Sequence, residues 1–269
     1  NYLKGKKFKT CFIDEAAQAL EPATWIPILK SEKVILSGDP FQLPPTVKSN
    51  DAIRMGLSKT LMERCLEQVS SVYLLDTQYR MNEKLMGYSN AYFYQNQLKA
   101  HESVRWNYFT NPLLSSLLFI DTAGCGYEEV RSENSDSLCN PEEYILLFRH
   151  LEKTLLEMEE EAQTYSVGII SPYRGQVKYM RENDVNDIHL TVTYPQIHIQ
   201  TIDAFQGQER DIIYISLVRS NTESEIGFLK DYRRMNVAMT RAKKMLVVIG
   251  DSATLGDDAF YKGFIDYCH

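Results

Sequence analysis

Two almost unbroken apolar runs, residues 211–218 and 245–249, constrain the fold of this chain most. Runs this rich in β-branched residues are strands buried on both faces, and such strands belong to parallel sheets covered by helices. Shorter runs at 8–13, 34–36, 72–75, 117–121, 167–171 and 197–202 also read as strands. Helical stretches lie between them. Asn140-Pro141-Glu142-Glu143 is a strong helix start, with an N-cap, a proline at the first position and an acid three residues after the cap. That helix is expected to run to about Ala162. Further helices are expected over 58–68 with Ser58 as N-cap, 83–94, 172–183, a basic one over 231–244, and 254–269. Between 16 and 30, Pro22 and Pro27 break the helix into short pieces. Residues 122–138 are polar and acidic and read as an exposed loop. The alternation predicts an α/β architecture with parallel sheets flanked by helices. A boundary near Gln78 divides 1–77 from 78–269.

Composition narrows the function. The net charge of −7 over 269 residues argues against a general nucleic-acid binder. A local basic cluster can override it, since charges act over a Debye length of roughly 8 Å in physiological salt. Five scattered cysteines with no Cys-x-x-Cys pair argue against structural zinc and a disulfide framework, so a reducing, cytoplasmic home is expected. The apolar runs are too short to span a bilayer, and no apolar leader segment follows the basic start. The chain opens without Met, and a fragment of a longer protein is expected.

Chemistry concentrates where strands end. The 8–13 run stops at Asp14-Glu15, two adjacent carboxylates. A nucleotide-hydrolysing site needs one carboxylate on a hydrated Mg²⁺ and one on the attacking water. The same pair also suits an ordinary helix start, where the dipole favours acids. Arg241, among Arg233, Arg234, Lys243 and Lys244, equally suits a solvated basic helix face. Trp106, Tyr108 and Phe109 read as buried packing before base stacking, and His198 as a structural histidine within a strand.

Four further stretches join Asp14-Glu15-Ala16-Ala17-Gln18: Gly38-Asp39-Pro40-Phe41-Gln42-Leu43-Pro44-Pro45, Gln78-Tyr79-Arg80-Met81, residues 201–211 around Phe205-Gln206-Gly207-Gln208-Glu209, and Arg234-Met235-Asn236-Val237-Ala238-Met239-Thr240-Arg241-Ala242. Together they resemble motifs II to VI of superfamily 1 helicases. The likeness is to the branch of the nonsense-mediated-decay and immunoglobulin mu-binding helicases. Ile170-Ser171-Pro172-Tyr173-Arg174-Gly175-Gln176 and Leu217-Val218-Arg219-Ser220-Asn221 fit the same branch.

The resemblance implies a RecA-like P-loop NTPase fold, with part of a first domain in 1–77 and a complete second domain in 78–269. It implies ATP and Mg²⁺ as cofactors and single-stranded DNA or RNA as partner, with 5′→3′ movement and no membrane. Asp14 would hold the Mg²⁺ through its waters, and Glu15 would deprotonate the attacking water. Gln42 would sense the terminal phosphate. Arg80 and Arg241 would be arginine fingers. Gly207 would admit the phosphates, Glu209 would take the ribose hydroxyls, and Tyr79 would line the nucleotide cleft. Ser171, Pro172, Tyr173, Thr201, Arg219 and Asn221 would meet the single strand.

One part of the pattern is missing. No Gly-x-x-x-x-Gly-Lys-Ser/Thr loop occurs in the chain. The family order places it upstream, in an N-terminal half of the same protein, and the chain alone is then expected not to turn over ATP. Two other functions compete. One is a non-catalytic module that binds single strands or a protein through a RecA-like fold. It has no chemical need for Asp14, Glu15, Gln42, Arg80 and Arg241 together. The other is a different P-loop motor, which the Gln78–Met81 and Phe205–Gly207 stretches disfavour.

Overall fold

The computed structural model describes residues 3–68, 71–132, 136–184 and 189–269. The chain divides into two compact units, Asn1–Leu75 and Asp76–His269.

In the first unit, strands Phe8–Ile13 and Ser31–Leu36 pair in parallel. Helix Glu21–Ile28 connects them, with Pro22 in its first turn and Pro27 in its last, so neither proline divides it. The first strand is not buried on both faces, because Phe12 is 72% exposed. A short helix, Asn50–Arg54, follows, and the helix expected over 58–68 is Leu61–Leu66, capped by Thr60, not Ser58. Thr60 and Glu63 form a reciprocal capping box, which satisfies two otherwise unpaired backbone donors and wins over a lone serine. The expected strand at 72–75 is absent. These residues have no ladder partner among the described residues, and Tyr73 and Leu75 are almost fully exposed. Apolar character alone does not make a strand without a neighbour to bond.

The second unit is built on a five-stranded, all-parallel sheet. Its order is Leu117–Asp121, Ala242–Gly250, Arg210–Ser216, Val167–Ser171, Ile197–Thr201. This is the parallel α/β arrangement that the strand–helix alternation predicts. Alternation along the strands separates the two faces. Val167, Ile169, Ile212, Tyr214, Met245 and Val247 join the core under helix Pro141–Glu157, which contributes Leu147, Phe148, Leu151 and Leu155. Those four positions recur at helical spacing, so one apolar stripe faces the sheet. An aromatic layer links helices Glu83–Tyr94 and Ala259–Cys268, where Phe260 and Phe264 lie edge-on to Tyr88.

Several boundaries differ from expectation. Helix Pro141–Glu157 gives way to a 3-10 segment, Glu159–Thr164. The basic helix is only Tyr232–Met239, and Ala242, Lys243 and Lys244 already belong to the sheet. The closing helix is two, Ser252–Leu255 and Ala259–Cys268. The loop after Asp121 carries an antiparallel pair, Val130–Arg131 with Leu138–Cys139. Its residues 133–135 lie outside the described residues. Trp106 is 65% exposed, stacked under Arg105, whereas Phe109 packs on Tyr165. His198 is exposed, its Nδ1 within 3.0 Å of the Gln196 carbonyl.

Candidate functional site

In the first unit the Phe8–Ile13 strand delivers Asp14 and Glu15 into an exposed turn. Asp14 Oδ1 accepts the Glu15 N–H at 3.0 Å. Glu15 is left-handed, with φ 51°. That conformation costs a non-glycine residue about 1–3 kcal/mol, and such residues cluster at functional sites. Ala16 and Ala17 are buried behind it, and Gln18 Nε2 donates to Glu15 Oε2 at 2.7 Å. The pair therefore opens a short 3-10 turn, Ala16–Gln18, and no longer helix follows directly.

The loop after the second strand packs on this turn. Ala16 N–H donates to the Ser37 carbonyl at 2.8 Å. A Cβ on Gly38 would meet the Ala17 nitrogen at 2.9 Å, so only glycine lets the two loops touch. Asp39 follows, and its Oδ2 accepts Gln42 Nε2 at 3.0 Å. Asp14, Glu15 and Gln42 thus stand on neighbouring strand-end loops. Among the described residues no cluster of three or more His, Cys, Asp or Glu is poised to hold a metal. A divalent ion here would rest on Asp14, waters and phosphate oxygens, which suits Mg²⁺, an ion that dehydrates reluctantly.

In the second unit the predicted residues fall on two opposite edges of the sheet. Arg210 and Ala242 are paired where their parallel strands begin. Glu209 and Arg241, one residue before each, therefore sit side by side at the amino edge. Arg80 reaches the same place. Its Nε donates to Glu209 Oε2 at 2.6 Å and its Nη1 to the Thr240 carbonyl at 3.0 Å. Gln78 fixes this turn by accepting the Arg80 and Met81 N–H groups on Oε1. Arg241 is 3% exposed. Its guanidinium donates to the Val237 carbonyl at 2.8 Å and to Thr240 Oγ1 at 3.1 Å. It is not part of a solvated helix face. Gly207 turns with φ 76°, a conformation open to glycine. Tyr79 is 64% exposed, its ring 4.4 Å from that of His101.

Lys243, at 2.8 Å, and Arg80 hold the Glu209 carboxyl down at about 2. Because the folded value is depressed, the stabilisation these cations provide is present above the ordinary carboxylate value and is lost as pH falls through about 2. A carbon-detected NMR titration is expected to show Glu209 ionised throughout pH 3–7, and Lys243→Ala to move its midpoint up toward the ordinary range. A wild-type midpoint above 4 would contradict the pairing.

The carboxyl edge carries the other set. Ser171, Pro172, Tyr173 and Arg219 are buried, so as they stand their side chains shape this edge and do not form its surface. Arg219 Nε lies 2.9 Å from Glu129 Oε2. A Cβ on Gly227 (φ 54°) would come within 2.6 Å of Arg219 Nη1 and 3.0 Å of the Tyr173 hydroxyl. Thr201 caps helix Ile202–Phe205 through Ala204 N–H. Asn221 is half-buried, and its Nδ2 donates to Glu129 Oε2 at 3.2 Å and to the Glu225 carbonyl at 2.9 Å. Phe228, 66% exposed, tilts against Tyr173 at 5.7 Å. Gln78, Glu129 and Phe228 were not singled out from the sequence. Only Gln78 carried a signal there, as the first residue of its motif.

Residues 57–253 match a family described as an AAA domain, and residues 1–50 match a second family of the same description. DNA-binding protein SMUBP-2 of Rattus norvegicus is 39% identical over 270 residues, covering 97% of this chain. DNA polymerase alpha-associated DNA helicase A of Saccharomyces cerevisiae is 34% identical over 97% of the chain. An ATP-dependent helicase of Methanocaldococcus jannaschii is 37% identical over 98%. The chain belongs to the superfamily 1 helicases. This helicase chain spans 26% of the rat protein, 41% of the yeast protein and 39% of the archaeal one. Homologues of this kind are nucleotide-using enzymes that act on nucleic acids. Both edges of the helicase sheet lie within the matched residues 57–253.

Proposed function

We propose that the full-length protein couples ATP hydrolysis to 5′→3′ movement along single-stranded DNA or RNA, with this chain supplying the catalytic carboxylates and both arginine fingers. The observation that carries the reading is the convergence of Arg80, Glu209 and Arg241 at one edge of one sheet. They come from stretches as far apart in sequence as residues 80 and 241, and Arg80 bonds directly to Glu209 and Thr240. A basic helix face or a structural ion pair has no need of two guanidinium groups beside a left-handed glycine.

The residues divide the work. Asp14 would hold Mg²⁺, and the ion would supply neutralising charge at the phosphates. Glu15 accepts the proton of the attacking water. The Gln42 amide can donate and accept, so it orients that water against the terminal phosphate. Glu209 accepts from the ribose hydroxyls, which requires Arg80 to leave it. The released Arg80, with Arg241, then stabilises charge developing on the transferred phosphoryl group. Gly207 admits the phosphates without a side chain in the way, and Tyr79 offers an exposed ring to the base. At the carboxyl edge Thr201 offers a hydroxyl to the backbone of the strand, and Asn221 offers its amide once it leaves Glu129 and the Glu225 carbonyl. Such groups grip without reading sequence.

A phosphate-cradling loop comes from another part of the protein, since the chain contains no Gly-x-x-x-x-Gly-Lys-Ser/Thr segment. The purified 269-residue chain is therefore expected to hydrolyse ATP no faster than the buffer blank. Turnover by the chain alone that disappears in Glu15→Gln would overturn this division of the site. Duplexes with a 5′ or a 3′ single-stranded tail test the direction. The full-length protein is expected to unwind the 5′-tailed one, and unwinding only the 3′-tailed one would reverse the polarity.

A further inference from the structure

Glu143 is 1% exposed. As the acid three residues after an N-cap, it is expected to reach back to the Asn140 N–H. It does not. Asn140 N–H donates to Gln176 Oε1 at 2.8 Å. The Glu143 carboxyl group instead crosses to the end of the Arg210–Ser216 strand. Its Oε1 accepts the Leu217 N–H at 3.0 Å and its Oε2 the Val218 N–H at 2.7 Å.

The reason lies in the backbone it meets. Val218 has φ 72°, a left-handed conformation that is a clear outlier for a β-branched residue. Left-handed turns aim successive N–H groups at one point and form a concave anion site. Here the protein fills that site with its own carboxyl group, that of Glu143. Asn140 and Gln176 complete the clamp. Asn140 Nδ2 donates to the Val218 carbonyl at 3.3 Å, and Gln176 Nε2 to Ser216 Oγ at 3.0 Å. Burial pushes the Glu143 carboxyl up to about 8, against the pull of the two N–H groups. A burial cost of that kind has no purpose at a helix cap, where an exposed acid serves as well.

The Val218 turn sets the course of the chain beyond it. Past Val218 the chain leaves the sheet, Arg219 goes to Glu129, and Ser220 N–H and Asn221 Nδ2 bond the same Glu129 oxygen. We propose that Glu143 is the positioning residue of the 217–221 loop, fixing the left-handed Val218 turn that aims Asn221 and its neighbours at the single strand. The proposal rests on the reading that this edge meets the strand.

The test uses the full-length protein carrying Glu143→Gln, which keeps the side chain's size but has one acceptor oxygen where two are needed. Three quantities are measured: amide exchange at Leu217 and Val218, affinity for a fluorescein-labelled oligothymidine or oligouridine, and affinity for ATP. Exchange at Val218 is expected to speed up, and less so at Leu217, whose N–H keeps the Ile249 carbonyl at 3.1 Å. Strand affinity is expected to fall about tenfold, the effect of losing one buried hydrogen bond, with ATP affinity unchanged. Faster exchange with wild-type strand affinity overturns the positioning role, and unchanged exchange overturns the anchor itself. A wild-type protein that binds no strand overturns the function reading, and this inference with it, whatever the exchange shows. Should Glu143→Gln not fold, the double variant with Val218→Gly removes the conformational demand, because glycine takes positive φ freely. That variant is expected to fold and to bind the strand weakly, and wild-type affinity in it contradicts the proposal.

Discussion

Arg241→Ala in the full-length protein is expected to lower ATP turnover by about 10³–10⁵, the range for loss of an arginine finger, while nucleotide affinity changes much less. The geometry supports a large effect. Arg241 is buried, and its guanidinium is already oriented by the Val237 carbonyl and Thr240 Oγ1. A preoriented group does not reorganise as charge develops, and that is where electrostatic catalysis is strongest. Arg241→Lys is expected to recover little, because a lysine cannot keep those bonds and still reach forward with a planar fork. The measurement is kcat alongside the nucleotide Kd, with circular dichroism to confirm the fold. Equal losses in turnover and binding would show that Arg241 acts on the ground state.

Glu15→Gln should rank second, with turnover down by about 10²–10⁴, as expected for loss of a general base. Binding of nucleotide should persist, because the variant removes a charge and keeps the shape. The left-handed backbone at Glu15 rests on buried Ala16 and Ala17 and on the contact with the Gly38 loop, none of which the substitution touches. Single-turnover hydrolysis on prebound ATP isolates the chemical step. Wild-type rates in that experiment would remove Glu15 from the base role and leave it a turn residue.

The parallel sheet was legible because its inner strands are buried on both faces and advertise themselves by composition. Val167–Ser171 and Arg210–Ser216 needed no partner to be recognised. The run at 72–75 looked alike but lacks a ladder neighbour, and pairing is a property of two segments. Short-range chemistry misled in a similar way. Ser58 looked like a cap because it is a serine, while Thr60 and Glu63 satisfy two donors at once. Glu143 looked like half of a capping box, yet its partners Leu217 and Val218 lie far along the chain, at the end of another strand. The motif residues were legible individually, but their sorting onto two edges was not. That sorting depends on where each lies relative to a strand's start or end: Glu209 and Arg241 precede strands, whereas Ser171, Thr201 and Asn221 end or follow them. Burial of Ser171, Tyr173 and Arg219 was equally hidden, since a polar residue at a strand end can face solvent or the next loop with the same local sequence.

The function proposed for this chain requires ATP hydrolysis and single-strand binding to be coupled through it. Coupling is read from the steady-state ATP turnover of the full-length protein, titrated with an unstructured oligonucleotide, in the wild type and in Glu15→Gln. The expected result is low turnover without the strand, saturable stimulation with it, and no stimulation in Glu15→Gln at any strand concentration. Turnover that is independent of the strand, or stimulation that survives Glu15→Gln, would contradict it.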